Sequence, residues 1–135
     1  MQQTIPAIRD LSKRILAEEA HSAFNAFEKL RQHLAKLVGI AGFQSLLARS
    51  LVLAKPEALW LLSVRVGSGG RLEEIHEGDT PSEALVAEGY TALLAQFLAL
   101  LVTFIGESLM LRLVQEIWPT VRLNDMNSPS EETTT

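Results

Sequence analysis

Two Glu-x-x-His spacings, Glu18 to His21 and Glu73 to His76, are the residues whose types and spacing come nearest to metal chemistry. Paired spacings of this kind supply the ligands of di-iron carboxylate bundles. Here they do not converge. Glu18 and His21 fall on the side of their helix away from the apolar stripe Phe24, Phe27 and Leu30, while Glu73 and His76 lie in a glycine-flanked stretch. No metal site is expected. Nucleophilic catalysis has as little to draw on: there is no cysteine, His21 and His33 read as surface residues, and no serine sits in a nucleophile elbow. No catalytic residue and no cofactor is assigned.

One carboxylate breaks its pattern. Glu107 falls between Val114 and Trp118 on the apolar side of the last predicted helix, whereas Ser108, Arg112, Gln115 and Glu116 gather on the other. At a helix start the dipole and the free N–H groups favour it. If the helix ran through Gly106 instead, a buried carboxylate would need a cation, and Arg49, on a nearly all-apolar helix, is the partner it would take. Trp60 and Trp118 are the residues that would line a small-ligand pocket between helices.

The elements that must position these residues are helical. Thr4 followed by Ile5 and Pro6 resembles a helix entry, and Ile8, Leu11, Ile15 and Leu16 recur at helical spacing. Phe24, Phe27, Leu30, Leu34, Leu37 and Val38 form a second stripe, interrupted by Gly39 and Gly42. The segment from Phe43 to Lys55 is apolar almost all round, the mark of a helix inside a bundle, and Pro56 stops it. Residues 57–79 read as a short helical or extended piece and a loop; WLLSVRV could be a strand, but no second strand pairs with it, so no sheet is expected. Thr80-Pro81-Ser82-Glu83 matches a capping box that opens a long helix at Pro81. Run unbroken to Trp118, that helix would be ~57 Å long, too long for a globule with a radius of gyration of ~14 Å, so a break is placed near Gly106.

Within this long helix, residues 89–106 carry no charge and reach the lower edge of a transmembrane candidate. Gln96, Thr91, Thr103 and the flanking Glu88 and Glu107 argue for a buried helix instead. One side carries large residues, Val86, Tyr90, Leu93, Leu94, Phe97, Leu100, Leu101 and Phe104. The other side, Ala84, Ala92, Ala95, Ala99 and Val102, is small enough for close helix approach and is the candidate dimer interface, although packing within the chain explains the same letters.

Composition agrees with a packed domain. The 135 residues are 47% hydrophobic and 21% charged, with mean hydropathy +0.17, which excludes intrinsic disorder throughout; the lack of cysteine excludes a disulfide scaffold. Charge is polarised: residues 1–71 hold ten Lys/Arg and five Asp/Glu, residues 72–135 two and eleven. A net charge of -4 disfavours a nucleic-acid binder, and MQQTIPAIRDLSKR lacks the features of a secretory leader, so the expected location is cytoplasmic.

The segments VGIAGFQSLLARSLVLAK (38–55) and LLAQFLALLVTFIGESLMLRLVQEIWP (93–119) resemble a pattern in small bacterial all-helical proteins, in which Gly-Phe-x-x-Leu-x-x-Arg precedes Phe-Ile-Gly-Glu-x-Leu-x-x-Arg-Leu. The resemblance covers about a third of the chain. It implies a bacterial source and a role for Arg49, Gly106, Glu107 and Arg112, without a mechanism.

The sequence thus predicts an all-α compact bundle of about five helices over residues 4–118, with a nearly buried central helix pair and a disordered polar tail at 119–135. The expected function is a non-catalytic helical interaction or regulatory module, self-associating as a homo-oligomer or binding another helical protein through the alanine-rich face. The alternatives are a single-span or peripheral membrane protein using residues 89–106 and a small-ligand-binding helical domain.

Overall fold

The computed structural model describes residues 6–19, 22–74 and 82–121. Four helices are described: α1 (Pro6–Glu18), α2 (Ala23–Ala54), α3 (Glu83–Ile105) and α4 (Glu107–Ile117). Three short 3-10 segments, Lys55–Glu57, Leu59–Ser63 and Ser68–Gly70, and two strands, β1 (Val64–Val66) and β2 (Leu72–Glu74), lie between α2 and α3. The protein is mostly helical, as expected, but with four helices where about five were predicted. The difference lies in residues 23–54, which form a single element even though the backbone at Gly39 is non-helical and divides it into two helical stretches across a kink.

Two glycines shape the helices. At Gly39 the backbone leaves the helical region (φ 81°, ψ 164°), so α2 consists of two helical stretches joined across a kink, whereas Gly42 stays helical. At Gly106 (φ 94°) the N–H donates to the Val102 carbonyl at 2.9 Å and the carbonyl accepts from the Met110 N–H at 3.1 Å, so one residue closes α3 and opens α4. A side chain at such positive φ would crowd the backbone. The break at Gly106 falls where the length argument placed it.

The start of α3 differs from the expected capping box. Ser82 is the N-cap, its hydroxyl accepting from the Leu85 N–H at 3.2 Å, and Glu83 is the first helical residue. Thr80 and Pro81, the predicted cap and first residue, lie outside the described residues, as do Thr4 and Ile5 at the predicted entry of the first helix and residues 122–135 of the predicted tail.

The expectation of no sheet is overturned. β1 and β2 pair antiparallel in the register Val64 to Glu74, Arg65 to Glu73 and Val66 to Leu72. The missing partner was hidden in the acidic stretch after Arg71, where Leu72 is the buried apolar residue and Glu73 pairs with Arg65 at 2.9 Å. Gly67, Gly69 and Gly70 supply the turn, with the Gly67 N–H donating to the Arg71 carbonyl at 2.6 Å.

The core centres on α3, which touches α1, α2 and α4. Leu93, Leu94, Ala95, Phe97, Leu98 and Leu101 are completely buried. Around Phe97 the kinked α2 contributes a ring from each side of Gly39: Phe27 and Phe43 meet it with centroids 5.8 and 5.5 Å away, both edge-on, the geometry aromatic pairs prefer. The α1 stripe Ile8, Leu11, Ile15 and Leu16 is buried as predicted. Buried serines are satisfied locally, Ser12 donating to the Ile8 carbonyl and Ser50 to the Leu46 carbonyl. Among the described residues no buried side-chain nitrogen or oxygen lacks a partner.

Candidate interaction surface and polar nodes

Two polar nodes sit where elements meet. At the end of α1, Glu19 is 8% exposed and its carboxylate accepts from the Trp118 indole N–H at 2.7 Å and pairs with the Lys29 ammonium at 2.5 Å. The chain places these groups by helix ends: α1 stops just before Glu19, Lys29 is two turns into α2, and Trp118 directly follows α4. One carboxylate therefore ties three helices together.

The second node is aromatic. Tyr90 on α3 is buried between Phe24 of α2 and Trp60, with centroids 6.3 and 5.1 Å away, and donates its phenol proton to the Glu74 carboxylate on β2. Burial first, then the hydrogen bond to Glu74 and its negative charge, push the Tyr90 phenol well above the ordinary tyrosine range. Trp60 donates to the Leu85 carbonyl at 2.7 Å and lies over Gly89, where a Cβ would come within 2.5 Å of the indole nitrogen. On the α2 surface, the Arg31 guanidinium, donating to Glu28, holds the Glu28 carboxyl below the usual carboxylate range, with Arg71 beside it at 3.8 Å.

The residues singled out from sequence are placed differently from what was expected. Arg49 and Glu107 are both exposed and no ion pair joins them, so the buried pair is not formed. The physical reason is the Gly106 break: Glu107 becomes the first residue of α4 and is exposed there, where the dipole of a helix start favours a carboxylate. The alanine face is also redrawn. Ala92 and Ala95 are buried inside the chain, Ala99 and Val102 are half-buried and only Ala84 is exposed, so packing within the molecule consumes most of that surface. Trp60 and Trp118 do not share a site, since each is tied to a different node.

Of the metal-type spacings, Glu18 is exposed, Glu73 pairs with Arg65, and His21 and His76 lie outside the described residues. Among the described residues no group of three or more His, Cys, Asp or Glu could hold a metal ion. His33 is half-buried rather than exposed, with Nδ1 3.0 Å from the Lys29 carbonyl oxygen.

A surface that the sequence reading missed lies on α2. Beyond the kink, Ala41, Ser45, Ala48 and Val52 recur at helical spacing and are all exposed, with exposed Arg49 at the edge of the stripe. Leu37 and Ile40 add exposed apolar area at the kink itself. This half of α2 was expected inside the bundle because its letters are apolar all round. Instead Phe43, Leu47, Ser50, Leu51 and Ala54 face the core and the opposite side is open. Two helical stretches, Ala23–Glu57 and Glu83–Ile105, are long and apolar enough to cross a membrane; 28% of the residues in the apolar window of the first are buried, and 56% of those in the second. Compared with known proteins, the chain matches no family model, no curated protein and no solved structure.

Proposed function

We propose that this protein is a non-catalytic helical interaction module that self-associates, and that the contact is made by the outward face of α2 at Ala41, Ser45, Ala48 and Val52. The observation that carries the reading is the contrast between the two apolar helices. Over half of the residues in the apolar window of α3, 56%, are buried by the chain's own packing, against 28% of those in the apolar window of α2. A helix apolar on both faces requires apolar surroundings on both, and open apolar surface of this kind marks a contact site. Small side chains along the open stripe let a second helix approach closely. A second copy is the occupant that needs no other gene product, and two-fold pairing is the commonest form such contacts take.

The test is the mass in solution of detergent-free protein by size exclusion with light scattering. The expected result is a dimer, twice the 14.9 kDa chain mass, that becomes monomeric on Ala48→Glu. A wild-type monomer at about 100 micromolar, a weak-contact concentration in affinity terms, overturns the reading. So does protein obtainable only with detergent, which would assign the open face of α2 to lipid.

A further inference from the structure

We infer that Trp60 is a latch that holds the projecting start of α3, and that this end of the helix opens and closes independently of the core. α3 changes character abruptly along its length. At its start Glu83, Ala84, Leu85, Ala87 and Glu88 are exposed and Val86 is half-buried, whereas every residue from Gly89 to Ala95 is buried. The first turn and a half of the helix therefore overhangs the body of the protein. A segment with few buried apolar contacts and solvent-exposed backbone hydrogen bonds opens at a lower free energy than the core it adjoins.

Trp60 sits on the boundary between the two parts. It comes from the 3-10 segment Leu59–Ser63, in which Leu59 and Leu62 are exposed. Its indole lies over Gly89, the first buried residue, and its N–H donates at 2.7 Å to the carbonyl of Leu85, one turn further out. Among the described residues this is the one hydrogen bond that reaches residues 83–89 from another element. The seat is built at the expense of the helix. Glycine inside a helix is less favourable than alanine, yet a Cβ at position 89 would come within 2.5–2.6 Å of three indole atoms. The seat also depends on the helix, because unwinding the turn between Leu85 and Gly89 separates the carbonyl from the glycine. Latch and helix end therefore let go together. Release takes the Trp60 ring away from the Tyr90 ring, 5.1 Å from it in the closed form, and so adds Trp60 and one side of Tyr90 to the open surface.

Hydrogen exchange, read residue by residue by NMR on the full chain, tests the latch in wild type, Trp60→Phe and Gly89→Ala. In wild type the amides of residues 87–90 are expected to exchange about tenfold or more faster than those of residues 93–101, at a rate that low urea concentrations leave unchanged, the mark of local opening. Trp60→Phe keeps a ring and removes the donor, and should speed exchange at 87–90 about fivefold, the worth of one hydrogen bond, with 93–101 unaffected. Gly89→Ala should speed it as well, because the methyl displaces the indole, whereas an effect through helix propensity alone would slow it. Wild-type amides at 87–90 as protected as those at 93–101 overturn the inference. So does exchange at 87–90 that is unchanged in Trp60→Phe or slower in Gly89→Ala. A variant that unfolds loses protection at 93–101 too, and the wild-type comparison then decides by itself.

Discussion

Tyr90 is the only tyrosine of the chain, so its ionisation can be followed without interference. In the folded protein its phenol is buried, donates to Glu74 and is held above the ordinary value of about 10. A folded-state value above the unfolded one means that the neutral phenol is favoured by folding. The stability associated with it is intact below the unfolded value and is lost as pH rises beyond it, because the unfolded chain releases the proton first. Tyrosinate absorbance should therefore stay flat through pH 10 and rise only together with loss of helicity. A tyrosinate step near pH 10 with helicity unchanged would show that Tyr90 is open to solvent. Glu28 works in the opposite direction: its lowered value adds stability above the unfolded carboxylate range that is lost as pH falls through the folded value. None of the Tyr90 environment was legible in the sequence, since Phe24, Trp60, Glu74 and Tyr90 come from four elements and no spacing links them.

Glu19 shows how elements are locked to one another. Its carboxylate satisfies the buried Trp118 indole and the Lys29 ammonium, so it couples the end of α1 to α2 and to the end of α4. Glu19→Ala should cost about 2–3 kcal/mol, from a buried N–H left unsatisfied and a partly buried ion pair broken. Trp118→Phe should remove part of the same energy, so the double variant in urea unfolding should cost less than the two singles added. Strict additivity would mean the contact does not couple the helices. What the sequence showed of the elements followed from local rules. The α1 stripe, the helical α2 and the stop at Gly106 could be read because apolar period and helix length constrain them without reference to the rest of the chain. The hairpin and the side of α2 left open could not. A three-residue strand has too few letters to show alternation, and a helix that is apolar all round does not say which side its own chain will cover.

At the scale of the molecule, packing and charge point the same way. The chain buries α3 against its three helical neighbours, leaves a stripe of α2 exposed and carries an excess of Lys/Arg in residues 1–71 and of Asp/Glu in residues 72–135. Under the proposed self-association, pairing adds a concentration term to the stability, since the folded dimer is favoured over two unfolded chains by mass action. For two chains of this length the unfolding enthalpy scales to roughly 190 kcal/mol, so a hundredfold rise in protein concentration should raise the melting temperature by about 5 °C. Ala48→Glu should melt at a lower temperature and lose this dependence, because its folded form is a monomer. A wild-type melting temperature that is constant over the same range would place the folding energy within one copy and leave the open stripe of α2 without a role in self-association.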